Sequence, residues 1–188
     1  MKRKYIMLLL VLLVGIVMVL ALPWILLYIG IALSPNLAKP EITYGEFPFR
    51  LVYEINGERI VIEDSLICEF KGFGANEGTG KYRQWSKRLE SGGQELILLE
   101  VDEPIGKMKS WNVTYQIIYY NPGSSWYYMG DIGDVVTYRH DFPNASYYEE
   151  YEDGSTMRGV VSADELFSRF GIVLIDWEPS EPISNDFW

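Results

Sequence analysis

Residues 47–70 read Phe47-Pro48-Phe49-Arg50-Leu51-Val52-Tyr53-Glu54-Ile55-Asn56-Gly57-Glu58-Arg59-Ile60-Val61-Ile62-Glu63-Asp64-Ser65-Leu66-Ile67-Cys68-Glu69-Phe70. Asn56-Gly57 is the strongest two-residue hairpin signal, because both residues tolerate the positive φ that such a turn requires. The turn fixes a register that the flanking residues can check. It sets Tyr53 opposite Ile60 and Leu51 opposite Ile62 on one face, and Glu54 opposite Arg59 and Arg50 opposite Glu63 on the other. Apolar side chains meet apolar ones and each charge meets its opposite, so pattern and pairing agree on one antiparallel hairpin. Cys68 shares the face of Ile60, Ile62, Leu66 and Phe70 and is expected in the core as a small hydrophobe.

Upstream, Tyr5 to Leu33 is a run of 29 residues without a charge. At about 1.5 Å per residue such a helix exceeds the roughly 30 Å hydrocarbon core of a bilayer. Lys2, Arg3 and Lys4 precede it, and the positive-inside rule then keeps residues 1–4 in the cytoplasm and sends the C-terminal side across. The expected partner of residues 5–33 is therefore the lipid bilayer. The expected location is the cell membrane, single-pass, with an extracytoplasmic domain. Gly30-Ile31-Ala32 would suit a signal-peptide cleavage site, but a secretory apolar region runs only about 7 to 15 residues. Pro23 suggests a kink or early exit, and Trp24 and Tyr28 suit the outer interface. Residues 34–39 read as a linker, 40–178 as the exported domain, and 179–188, with Pro179 and Pro182, as a loose tail.

All 26 acidic residues follow the apolar run, against 13 of the 16 basic ones, so the exported part carries −13. That charge disfavours nucleic acid and anionic lipid as partners. Cys68 is the only cysteine, which excludes an intramolecular disulfide and a lipid-modified cysteine at the end of the apolar run. A domain of about 150 residues can form one core without such staples.

Beyond the hairpin, Gly72 to Gly80 holds four glycines and suggests a loop or bulged edge. Glu95 to Val101 suggests a strand apolar on both faces. Trp111, Val113, Tyr115, Ile117 and Tyr119 alternate with Asn112, Thr114 and Gln116, which predicts a strand with the first set inward. Asn121-Pro122-Gly123 would turn it into a strand over Trp126 to Met129, and Val135–Tyr138 and Thr156–Val161 are shorter strand candidates. Ser162 and Glu165 make a capping box, Val161 and Leu166 a hydrophobic staple, and Gly171 a C′ glycine, which together predict one short helix. Ile172 to Ile175 follows as a buried strand. The expected fold is β-rich α+β: an N-terminal transmembrane helix, then one mainly antiparallel β-sheet domain with a short late helix.

Pro40-Glu41-Ile42 and Tyr44-Gly45-Glu46-Phe47-Pro48-Phe49-Arg50-Leu51-Val52-Tyr53-Glu54 resemble the opening of uncharacterised single-pass membrane-anchored ectodomain proteins of Gram-positive bacteria. The resemblance implies a cell-surface location and brings no activity or site residues with it.

Motifs for chemistry fail on inspection. Gly72-Phe73-Gly74 lacks the third glycine of a dinucleotide loop, since Glu77 stands there. Gly80-Lys81 lacks both the first glycine and the Ser or Thr of a phosphate loop. A calcium loop through Asp153-Gly154 would put Tyr151 and Val160 at ligand positions, which leaves only an irregular acidic cluster of Glu149, Glu150, Glu152 and Asp153. His140 is the only histidine, and no Gly-x-Ser-x-Gly elbow accompanies it or its neighbours Asp134 and Asp141. No catalytic residue, metal site or cofactor is expected.

Two surfaces remain. Tyr119, Tyr120, Trp126, Tyr127, Tyr128, Tyr138, Tyr147, Tyr148 and Tyr151 are too many for alternating strands to bury on one face. Trp126, Tyr127, Tyr128, Tyr147, Tyr148 and Tyr151 are accordingly candidates for a surface that binds a polysaccharide or a protein at the cell surface. Lys81, Arg83, Lys87 and Arg88, four bases without an acid between them, are candidates for contact with an anionic polymer or lipid headgroups. The expected function is a non-enzymatic binding or scaffolding domain. The alternatives are a hydrolase acting through carboxylates such as Asp131, Asp134, Glu149 and Glu150, and an accessory subunit of a membrane complex.

Overall fold

The computed structural model describes residues 2–100, 113–131 and 142–188. These form a long helix α1 (Lys2–Leu33), strands β1 (Tyr44–Ile55), β2 (Glu58–Asn76), β3 (Gly80–Leu89), β4 (Leu96–Glu100) and β5 (Val113–Tyr120), a one-turn helix α2 (Ser125–Tyr128), β6 (Ala145–Tyr151), β7 (Thr156–Val161), α3 (Ala163–Phe170) and β8 (Ile172–Glu178). The strands make two four-stranded sheets, ordered β3-β2-β1-β8 and β4-β5-β6-β7. Every pairing with a described register is antiparallel. The β-rich α+β class with its short late helix is the one the sequence implies. Expectations at Val101, Trp111, Asn112, Asp134, Val135 to Tyr138, His140 and Asp141 lie outside the described residues.

The chain folds as two compact units, one of residues up to 39 with 71–84, the other of 40–70 with 85–188. In the first, α1 continues through Pro23 to Leu33 without the early exit that Pro23 suggests. Its stretch Arg3–Leu33 is long and apolar enough to cross a membrane, a property that signal sequences share. The glycine-rich segment is not a loop, since β2 runs to Asn76 and β3 starts at Gly80. Asn76 Oδ1 accepts from the backbone N–H of Gly78 (2.9 Å) and of Thr79 (2.7 Å), which closes the turn. Gly74 leaves room for the Tyr82 ring, whose far end would stand 2.4 Å from a Cβ there and would have to shift. This hairpin end grips α1: Tyr28 donates to Glu77 Oε2 at 2.9 Å, and Lys81 Nζ donates to Ser34 O at 2.5 Å, Asn36 Oδ1 at 3.0 Å and Ala32 O at 3.4 Å. Arg83 donates to Ala38 O at 3.2 Å. A cation on the last carbonyls of a helix satisfies acceptors that have no partner within the helix and complements its dipole.

In the second unit the β1–β2 register is the one the Asn56-Gly57 turn dictates, with Tyr53 opposite Ile60, Leu51 opposite Ile62, Glu54 opposite Arg59 and Arg50 opposite Glu63. Asn56 (φ 52°) and Gly57 (φ 85°) both take the positive φ that this turn needs. Leu51, Leu66 and Cys68 are fully buried, and they share one core with Leu96, Leu98, Ile118 and Tyr120 of the other sheet. Trp177 joins the sheets, its ring 5.2 Å from Phe49 and 4.9 Å from Tyr120. The capping box of α3 is complete, Gly171 sits in the left-handed region, and Val161 and Leu166 are buried as a staple requires. β8 is not buried on both sides: it is an edge strand, and Val173 and Ile175 face outward.

The C-terminal segment is not loose. Ile183 N–H donates to Tyr128 O (2.9 Å), and Glu41 N–H to Asp186 O (2.8 Å). Asn185, itself buried, accepts from Ile42 N–H (2.9 Å) and donates to Ile42 O (2.8 Å) and Met129 O (3.2 Å). Prolines stop this segment from joining a sheet as a full strand, so side-chain and isolated backbone bonds hold it instead. Asn185→Ala should strand those backbone groups and cost about 1–3 kcal/mol. The full-length chain in detergent should then melt lower by about 2–4 °C per kcal/mol; an unchanged melting temperature would show that the segment contributes nothing.

Candidate functional site

The face of the second sheet turned away from the core carries the site, and strand register builds it. Ile117 of β5 lies opposite Tyr148 of β6, which lies opposite Arg158 of β7, so the three form one row. Alternation adds Tyr115 and Tyr119 on the same face of β5. Gln94 and Glu95 enter from the residues just before β4. Gln94, Glu95, Tyr115, Ile117, Tyr119, Tyr148 and Arg158 line a cavity of about 220 Å³. The rings of Tyr115 and Tyr148 meet edge to face at 6.3 Å, and the Arg158 guanidinium lies over the Tyr148 ring at 5.1 Å. Tyr115 remains 39% exposed, so part of its surface is free to meet a ligand.

A second cavity, of about 360 Å³, is walled by Trp85, Ser86, Lys87, Gln94, Asn121, Gly123, Ser124, Ser125 and Trp126. Gln94 belongs to both cavities, and an ion pair links their walls: Lys87 Nζ lies 3.2 Å from Glu95 Oε1. The other bonds of Lys87 go to Asn121 Oδ1 (2.9 Å) and Gly123 O (3.3 Å), which gives three acceptors for its three protons. Glu95 Oε2 is buried and has no hydrogen-bond partner among the described residues. Burial raises the Glu95 carboxyl above its ordinary value, against the opposing pull of the Lys87 charge.

The six aromatic candidates divide. Trp126 is 41% exposed in the wall of the larger cavity and Tyr148 lines the smaller one. Tyr127 and Tyr147 pack partly buried against the core. Tyr128 and Tyr151 are core residues, with Tyr128 donating to Pro122 O at 2.9 Å and Tyr151 to Glu149 Oε2 at 2.7 Å. That bond to Glu149 is the main cause that pushes the Tyr151 hydroxyl up to about 12. Trp126 to Tyr128 is helical rather than a strand, because Ser124 caps the turn by accepting from Trp126 N–H. Its three side chains therefore do not alternate between two faces.

Three of the four basic candidates are engaged in the fold. Lys81 and Arg83 bind the end of α1 and the residues after it, and Lys87 is ion-paired beneath the groove, whereas Arg88 is exposed. Of the carboxylate pool, Asp131 accepts from Trp85 Nε1 at 2.7 Å and Glu149 is fully buried. Glu150, its neighbour on β6, points to the opposite face, so the two do not assemble as a pair. Asp134 lies outside the described residues. Among the described residues no group of three His, Cys, Asp or Glu is placed to hold a metal ion.

Glu95, Arg158 and Tyr115 escape sequence reasoning. The alternation in 113–119 suggests Tyr115, Ile117 and Tyr119 inward, but the core side is taken by Gln116, Ile118 and Tyr120, while of the other set only Tyr119 is buried. The register slips between Val113 and Tyr115, and apolar residues of both parities fill 117–120, so the local pattern fits either face. No family model, curated protein or solved structure matches the chain.

A carboxyl raised in the folded state keeps its proton at a pH where the unfolded chain has lost it. Stability contributed by Glu95 therefore falls as pH rises from its unfolded value, about 4, through its raised folded value. The melting temperature of Glu95→Gln should gain on that of the parent across this interval, measured by differential scanning calorimetry. A difference independent of pH would contradict the raised value.

Proposed function

We propose that this protein is a single-pass membrane protein, N-terminus in the cytoplasm, whose extracytoplasmic domain binds an envelope ligand without chemistry. The ligand face is the outer side of the second sheet. One observation carries this reading: Tyr115, 39% exposed, stands with Tyr119 and Tyr148 in the wall of a cavity that Gln94, Glu95 and Arg158 also line. Aromatic rings beside a few fixed polar groups are the ordinary composition of a binding site. Neither member of the nearest carboxylate pair on β6, Glu149 and Glu150, shares its face with the other, which favours binding over acid–base hydrolysis.

Retention of α1 as an anchor is supported by the hairpin end. Tyr28, Ala32, Ser34 and Ala38 all receive or make bonds with residues 77–83, so the folded arm holds both sides of the Gly30-Ile31-Ala32 cleavage candidate. A cleaved leader would leave Glu77 without Tyr28 and Lys81 without Ala32. The three bases before the apolar run set the orientation.

Two measurements test the proposal. Full-length Tyr115→Ala and Trp126→Ala should melt within about 1 kcal/mol of the parent, as exposed positions do, yet lose most of the envelope material that copurifies with the parent from detergent-solubilised membranes. Unchanged capture by both variants would overturn the groove. For topology, Ser184→Cys at an exposed position should react with a membrane-impermeant maleimide on intact cells, against a low background because Cys68 is buried. Reaction only after lysis would reverse the orientation.

A further inference from the structure

The β2–β3 hairpin runs back along the chain that leaves α1. Arg83 donates to Ala38 O, Lys81 to Asn36 Oδ1, Ser34 O and Ala32 O, and Glu77 accepts from Tyr28. As the hairpin residue number falls from 83 to 77, its partner falls from 38 to 28. The turn at residues 76–80 therefore lies beside the last turns of the apolar helix, below its end. We infer, on the proposed reading of α1 as a membrane span, that this turn sits in the outer headgroup layer of the bilayer and contacts phospholipid headgroups.

Helix length sets the depth. The uncharged run Tyr5–Leu33 has 29 residues. At about 1.5 Å per residue it is about 43 Å long, against roughly 30 Å of hydrocarbon and about 40–45 Å with both headgroup layers. Two limits bracket its placement. With Tyr5 at the inner edge of the hydrocarbon, Tyr28 stands about 5 Å beyond the outer edge, inside a headgroup layer about 5–7 Å deep. With Leu33 at the outer water boundary, Tyr28 stands about 7.5 Å below it, at the floor of that layer. A tilt of about 20° shortens the run by less than a tenth and leaves both limits in place. Tyr28 thus falls at the depth where tyrosine is enriched. Its hydroxyl is 2.9 Å from Glu77 Oε2, so the hairpin turn shares that depth.

The turn has the composition for such a layer. Asn76-Glu77-Gly78-Thr79-Gly80 holds one charge and no large apolar side chain, which suits polar headgroups rather than hydrocarbon. Asn76, Glu77, Gly78 and Thr79 are all exposed on the protein. Charge around the turn is favourable as well. Residues 34–39 and 71–84 carry Lys39, Lys71, Lys81 and Arg83 against Glu77, 4 − 1 = +3, although the exported part as a whole carries −13. The acceptors of Lys81 are neutral, so its positive charge persists at the helix end. A basic segment beside a span attracts anionic headgroups, and screening within about 8–10 Å keeps that attraction local to the segment.

The test uses full-length protein in nanodiscs of phosphatidylcholine and phosphatidylglycerol, with a nitroxide on one introduced cysteine at a time. Collisions with oxygen, which concentrates in the bilayer, and with a water-soluble nickel chelate report depth. Cys68 is buried and leaves a low background. Gly78→Cys labels the turn, where an added Cβ meets only Asn76 Oδ1 at 3.6 Å. Gln84→Cys labels an exposed position about 13 Å along β3 from Gly80. Leu20→Cys and Ile29→Cys, both exposed on α1, mark the hydrocarbon and the outer boundary. The label at 78 should match the depth of the label at 29 and meet nickel at least about threefold less often than the label at 84. Equal nickel collisions at 78 and 84, with the label at 20 shielded from nickel, would overturn the inference and leave the span standing. A label at 20 open to nickel would overturn the span, and the inference with it.

Discussion

The Asn56-Gly57 turn is the constraint on which the larger unit depends. A two-residue loop with both φ values positive admits one register between β1 and β2, and a slip of one residue would put Leu66 and Cys68 on the face opposite Leu51 and Tyr53. Because that register puts these side chains inward, the second sheet has an apolar surface to pack against. Its own inner set of Leu96, Leu98, Ile118 and Tyr120 closes the same core. The outer face of the second sheet is what remains once the inner set is committed, and the groove occupies it. Site geometry thus descends from a turn that is distant in sequence from every groove residue.

Local signals were the legible ones. The hairpin, the capping box of α3 and strand β7 are each specified by residues close together in the chain, and sequence suffices to place them. What eluded sequence reasoning was parity. In β5, tyrosine and isoleucine occupy both faces of residues 117–120, and tyrosine is at home in either environment, so alternation could not choose a side. β6 was hidden because Tyr147-Tyr148-Glu149-Glu150 offers no apolar alternation, yet its glutamates split between a fully buried Glu149 and a more open Glu150. The Asn121-Pro122-Gly123 turn suggests a returning strand over Trp126 to Met129, whereas Ser124 supplies the cap that makes a turn of helix there.

The site was half visible. Trp126 and Tyr148 stand out in the sequence as members of an aromatic cluster, but composition cannot tell them from Tyr128 and Tyr151, which serve the core. Arg158 and Glu95 carry no motif, and they reach the groove only through the row that joins β5, β6 and β7 and through the chain entering β4. The basic run of 81–88 shows the converse, since most of the positive charge that suggests an external anion is spent inside the fold: Lys81 and Arg83 on carbonyls at and after the end of α1 and Lys87 on Glu95, with Arg88 left exposed. In a strongly acidic domain such bases are valuable inside the fold, where each satisfies several acceptors.

The central claim is that the outer face of the second sheet, and not another exposed face, meets the envelope ligand. It is tested most directly by placing a photoreactive benzophenone amino acid at Tyr115 or, as a control, at Ile175, which is equally exposed on the edge strand of the other sheet. After irradiation of intact cells, mass spectrometry of the purified chain should find an adduct of an envelope component at position 115 and none at position 175. Equal adducts at both positions, or none at 115, would contradict the account.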